Sequence, residues 1–195
     1  MSISTTTLIS DQYCITHERA LKLTDKLSDE QLRWRPTPTG HAIAFHLWHM
    51  ARWADHLQAA IPGMTPELGG RLGPGVEIWE AERLAVRWGF DLVELGYAQT
   101  GMTMSDDIAT QLAFPAKEEL LAYARKAFVT AEHAVKAIDD EQFQKVEQPQ
   151  PLTEGIWGDS TVGSAILIHI VHDNRHLGMM ECLSGLRAGS GTATI

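Results

Sequence analysis

Apolar positions recur at helical spacing in four long segments of this chain, and no stretch sustains the two-residue alternation of a strand. From about Thr5 to Lys26, Ile9, Tyr13, Ala20, Leu23 and Leu27 stand among polar residues, the pattern of a surface helix in a bundle. Ser28 followed by Gln31 has the form of a capping box, so a short helical turn is expected there. Trp34, Pro36 and Pro38 then enforce an extended turn, because the residue before a proline avoids the α region. Thr39 is the expected N-cap of a second long helix, from about Gly40 to Ala60. Between Ile61 and Phe114 the pattern weakens. IPGMTPELGGRLGPGV reads as loop, Glu77 to Trp88 as a helix of about three turns, and the remainder as irregular structure with short helical pieces.

Pro115 suits the start of a third long helix, Lys117 to Ile138, with Leu120, Leu121, Ala124, Phe128, Ala131 and Val135 on one stripe. Glu132 and His133 on that helix are expected at the surface or behind a site. After the loop VEQPQPLTEGIWGDS, Asp159 to Thr161 offers N-cap chemistry for the last long helix, and Gly178 thins it where another group comes close. Four long helices with one long central connection predict an all-α fold: a four-helix bundle with a crossover between its second and third helices. The whole chain, residues 1–195, is expected to form one domain.

The second and fourth long helices resemble each other. Residues 40–52 (GHAIAFHLWHMAR) laid without a gap over 163–175 (GSAILIHIVHDNR) match at Gly40, Ala42, Ile43, His46, His49 and Arg52. A second echo precedes each copy, LSDEQL and IDDEQF. The chain therefore reads as two related helical hairpins, and repeats of this size usually pack on each other. That pairing brings His49 opposite His172 in a shared core, with His176 one turn further on.

The last helix carries ILIHIVHDNRHLGM, which sets His169, His172 and His176 within roughly 60° of one another on one face. His172 and His176, four apart, can reach one metal ion, and a third ligand must come from elsewhere. Three neutral imidazoles suit Zn²⁺, Ni²⁺ or Fe²⁺ and not Ca²⁺ or Mg²⁺, which take oxygen ligands. Three protein ligands leave coordination positions open, the mark of a catalytic site. The comparison with the zincin signature HExxH fails, since Asp173 replaces its general base and no spaced third ligand follows His176.

Composition narrows the function classes. A net charge of −9 argues against nucleic acid as a partner, because phosphate neutralisation needs clustered Lys and Arg. There is no apolar run long enough to span a membrane and no signal-like start, and Cys14 and Cys182 make no disulfide framework, so a reducing cytoplasm is expected. Both cysteines are expected as small buried hydrophobes.

LRWRPTPTG leading into FHLWHMARWADHL, the WE and RWGF pieces of the crossover, and HDNRHLGMMECLSGLRAG near the end together resemble the DinB/YfiT-like metalloenzyme superfamily over nearly the whole chain. The resemblance implies an up-down-down-up bundle, a divalent metal held by His49, His172 and His176, and often a homodimer. Characterised members include S-transferases and isomerases that use low-molecular-weight thiols. A metal-dependent enzyme transferring a small thiol to an electrophile is therefore the expected function; the alternative is a metal-binding stress or small-molecule-binding protein without turnover. His46 and His169, each one turn before an expected ligand, are candidates for hydrogen bonding to it or for substrate contact, with core packing as the plain alternative. Arg52 and Arg175 could bind a carboxylate or pair with Asp55 and Asp173. The crossover, with Trp79 and Trp88, is expected to wall the electrophile's site.

Overall fold

A computed structural model describes residues 4–145 and 161–189. Nine α-helices fall within them: α1 (Thr5–Asp25), α2 (Asp29–Arg33), α3 (Ile43–Met64), α4 (Pro66–Leu72), α5 (Ile78–Ala81), α6 (Leu84–Arg87), α7 (Asp106–Gln111), α8 (Lys117–Lys136) and α9 (Val162–Ala188), with a 3₁₀ turn at Gln142–Gln144. No strand forms among the described residues, and no helix there is long and apolar enough to cross a membrane. α3 packs on α8 and α9, and α1 packs on the same two, so the four long helices close a ring about one core.

Local chemistry explains most boundaries. Ser4 caps α1 by accepting from Thr7 N, and Ser28 with Gln31 forms the expected capping box on α2. Thr161 caps α9 by accepting from Ser164 N at 3.2 Å; Asp159 and the loop before it lie outside the described residues. Three expectations fail in this region of caps and turns. α3 begins at Ile43 behind Ala42, which offers no side-chain cap, and not behind Thr39. It also runs past Ala60 through Pro62, whose missing N–H removes one hydrogen bond in a last turn that ends anyway. The glycine-rich stretch after it contains α4, capped by Thr65 with Pro66 in its first turn. A Cβ on Gly69 would stand 2.9 Å from Pro62 O, so that glycine lets α4 lie against the end of α3.

The expected three-turn helix over 77–88 is interrupted at Arg83, which adopts a left-handed φ of 54° and divides α5 from α6. The break turns Trp79 and Trp88 inward. Trp79 lies 5.3 Å from Trp88 and 6.1 Å from Trp48, centroid to centroid, with Phe90 and Tyr123 completing an aromatic cluster. The crossover is therefore a third wall for α3. Every residue from Ala42 to Asp55 is buried, because α8, α9 and the crossover leave no face of that segment to solvent. Cys14 is half-buried and Cys182 exposed, contrary to the expectation of two core thiols.

Candidate metal centre

α3 and α9 bring His49, His172 and His176 together, as the repeat requires. Each offers a ring nitrogen, and the three nitrogens lie within 4.8 Å of one another. His49 Nε2 and His172 Nε2 are 3.0 Å apart. These three could hold a metal ion.

The remaining nitrogens are committed elsewhere, and for His49 and His172 that commitment sets the tautomer. His49 Nδ1 is 2.5 Å from the Thr100 carbonyl oxygen, which can only accept, so Nδ1 carries the proton and Nε2 a lone pair. His172 Nδ1 is 2.9 Å from the Asp173 carboxylate, which fixes the same tautomer there. His176 Nδ1 is 3.0 Å from His46 Nδ1, leaving its Nε2 uncommitted. Two lone pairs thus face each other at 3.0 Å with no proton between them. A cation resolves that repulsion, and nitrogens around a tetrahedral zinc lie about 3.3 Å apart. Each candidate ligand also has an outer partner on its other nitrogen, the usual support of a metal-bound imidazole. The donor set fits a borderline divalent ion.

The electrostatics keep His49, His176 and His46 neutral. Burial, then the neighbouring His172, holds His49 down to about 3. Burial, then His49 and His172, holds His176 down to about 2, and burial with His41 holds His46 down to about 4. Neutral imidazole is the form that binds metal.

His46 and His169, matched in the repeat, part ways. His46 turns to His176. His169 has no hydrogen-bond partner among the described residues, is only 6% exposed, and lines a cavity of about 340 Å³ together with all three candidate ligands. Trp53, Met102, Ile168 and Met179 supply the apolar walls, and Arg175 stands at the rim. Only Met102 comes from the crossover; Trp79 and Trp88 are in the core, not in this wall.

The two arginines separate as well. Arg52 is 1% exposed and donates to Asp55 Oδ2 (3.2 Å), Glu77 Oε2 (2.6 Å), Gln99 O (3.0 Å) and Ala98 O (2.9 Å). It cannot reach a substrate, and its role is structural. Asp55 in turn accepts from Ile78 N and Trp79 N at 2.9 and 2.8 Å, from Gln58, and from Tyr123 OH. This buried network clamps the turn after Leu95, where Ala98, Gln99 and Thr103 all hold positive φ. Such strain persists only where surroundings over-determine it, and the turn delivers the Thr100 carbonyl to His49. A Cβ on Gly101 would meet Trp48 at 2.8 Å and His49 Nδ1 at 3.2 Å, at a φ of +89°.

Sequence reading missed His17 and Thr100. His17 lies on the buried stripe of α1 with Tyr13 and Ala20, and a histidine on such a stripe was the available signal. Its Nε2 is 3.2 Å from Asp173 Oδ2 and its Nδ1 is 2.9 Å from Glu132 Oε1. Burial pushes His17 down, but hydrogen bonds to Asp173 and Glu132 outweigh it and the net shift is upward. Burial would raise Asp173, yet the bonds from His17 and His172 hold it far below the usual carboxylate range. Thr100 acts through its backbone, which leaves no side-chain pattern to read.

Comparison with known proteins agrees with this architecture. A solved structure described as the conserved protein of locus from Enterococcus faecalis superposes with a TM-score of 0.72 at 17% identity, covering 97% of this chain and all of that one, which speaks to the fold alone. No curated protein matches. The family model described as the DinB superfamily matches residues 12–180, so a helical bundle with a partly buried histidine triad is joined to sequence evidence over most of its length, and the chain belongs to the DinB superfamily.

Proposed function

We propose that this protein is a divalent-metal-dependent enzyme that transfers a low-molecular-weight thiol to an electrophilic small molecule. The observation that carries the reading is the placement of His49, His172 and His176 at the floor of an open cavity, not inside a closed core. Zn²⁺, Ni²⁺ or Fe²⁺ bound there would supply Lewis acidity, under which a coordinated thiol loses its proton near neutral pH.

The chain's own residues do the rest. Thr100 O and Asp173 hold His49 and His172 in ligand-competent form, and His46 orients the His176 ring. His169 presents an uncommitted neutral imidazole to the cavity, able to accept from or donate to a polar group of the substrate. Arg175, which has no partner among the described residues, is placed to hold an anionic group of the thiol or of the electrophile at the mouth. Trp53, Met102, Ile168 and Met179 shield the reacting atoms from water. In the transfer the sulfur bonds to the electrophilic carbon, the leaving group departs with the bonding pair, and the thiol proton goes to solvent. No cysteine lines the cavity, so the sulfur comes from outside the chain. A homodimer in the cytoplasm belongs to the same reading, and sedimentation velocity tests its stoichiometry.

The test combines elemental analysis with a panel of glutathione, bacillithiol, mycothiol and coenzyme A against chlorodinitrobenzene and monochlorobimane. The expected result is one bound metal per chain and turnover with one thiol that chelation abolishes. Stoichiometric metal with no turnover on any thiol would favour a metal-binding protein without catalysis. Stoichiometric metal retained by His49→Ala, His172→Ala and His176→Ala would remove the triad from the mechanism.

A further inference from the structure

His172 does not end the hydrogen-bonded chain that begins at the candidate centre. Its Nδ1 meets Asp173 Oδ1 at 2.9 Å, Asp173 Oδ2 meets His17 Nε2 at 3.2 Å, and His17 Nδ1 meets Glu132 Oε1 at 2.9 Å. The chain crosses from α9 to α1 to α8. Asp173 and His17 side chains are each 1% exposed, whereas Glu132 is 19% exposed and opens to the surface.

Stereochemistry assigns the protons. A carboxylate only accepts, so a ring with a carboxylate on each nitrogen must donate from both, and His17 carries two N–H groups. The string then reads carboxylate, imidazolium, carboxylate, with one net negative charge behind His172. Burying these groups is expensive, and an apolar trio of similar volume would be cheaper for stability alone. The ring is also held in one plane, stacked on Phe128 at 3.9 Å and 7° and flanked by Tyr13 at 4.2 Å. A packed, oriented, doubly bonded histidine that ends on a candidate ligand's only support has a use beyond filling α1's stripe.

We propose that His17 is a positioning residue of the metal centre: through Asp173 it holds His172 in the tautomer that turns Nε2 to the ion, and Glu132 completes the counter-charge. The inference rests on the metal-binding reading above. Without His17, Asp173 keeps one oxygen on His172 and loses the partner of the other. The buried carboxylate is then free to rotate, and His172 is no longer confined to its Nδ1–H tautomer. Outer partners of metal-bound histidines typically change affinity 10- to 100-fold, and a group one step further out is expected at about the lower end.

The experiment compares wild type, His17→Leu, His17→Gln and Glu132→Gln by Zn²⁺ competition against a chromophoric chelator and by visible absorption of the Co²⁺-loaded proteins. Long-range ¹H–¹⁵N spectra of the metal-free proteins report the His172 tautomer. His17→Leu should weaken Zn²⁺ about 10-fold, shift the Co²⁺ bands and mix the His172 tautomers; His17→Gln, which keeps one donor toward Asp173, should recover much of the loss. Glu132→Gln sits at the accessible end and should fold normally with a loss of a few-fold, so it decides the matter if His17→Leu fails to fold. Wild type that binds metal while the variants match its affinity, spectrum and tautomer overturns this proposal alone. Wild type that binds no metal overturns the metal-binding reading with it.

Discussion

Replacing Asp55 with alanine should destabilise the protein by about 3 kcal/mol, through the clamp behind the centre. Asp55 is fully buried and answers Arg52, Tyr123, Gln58 and two backbone amides at the start of α5. Removing one partner of a buried ion pair typically costs about 3–5 kcal/mol, because the other charge stays desolvated. Here Arg52 keeps Glu77 at 2.6 Å and two carbonyls, which places the loss at the lower end. The amides of Ile78 and Trp79, left without an acceptor, keep it from falling further. For a chain of this size that corresponds to a fall in Tm of about 6–12 °C. Urea unfolding followed by circular dichroism measures it. Arg52→Met should cost a similar amount, and the double variant should lose at least about 2 kcal/mol less than the sum, since no lone charge remains. A loss below about 1 kcal/mol for Asp55→Ala, or strict additivity, would refute the account of the clamp.

Other outcomes follow from the same geometry. Gly101→Ala should strain the turn and push Thr100 off His49, lowering Tm by several degrees and weakening Zn²⁺ in chelator competition; unchanged affinity would show that the turn does not position His49. In the metal-free protein His46, His49 and His169 have folded values of about 4, 3 and 3, below the ordinary 6.5, so the unfolded chain takes up protons first as pH falls. Stability should therefore drop from about pH 6.5 toward pH 4, each such ring contributing about 2 kcal/mol of loss by pH 5. His17 works the other way, its contribution being held at low pH and lost as pH rises through its raised value. Urea midpoints at pH 7 and pH 5 measure the net effect, and His169→Phe should flatten the profile. Arg175→Ala should raise KM for an anionic substrate or thiol with little change in Tm, which steady-state kinetics and a melting curve separate.

The helical periods, the Ser28 and Thr161 caps and the internal repeat locate all four long helices and pair α3 with α9 from the sequence alone. They also single out His49, His172 and His176, because a candidate ligand set on two repeated helices leaves a spacing legible in the chain. The repeat says nothing of asymmetry. His46 and His169 occupy matched positions, yet His46 meets His176 on α9, while His169 lines the cavity. Arg52 and Arg175 match likewise, and the crossover covers one and leaves the other at the rim.

Sequence alone thus determined what depends on neighbours along the chain: helix, cap, face, and the residue types able to bind a metal. Tertiary structure decided what depends on neighbours in space. Pro62 and Gly69 could lie within helices because α4 folds back onto α3, and Arg83 could break another because its flanking tryptophans gain the core. The proton positions on His49 and His172 were set by a backbone oxygen 51 residues away from His49 and by a carboxylate anchored through α1. A hydrogen bond's direction depends on partners a few ångströms off in space, and distance along the chain carries no record of them.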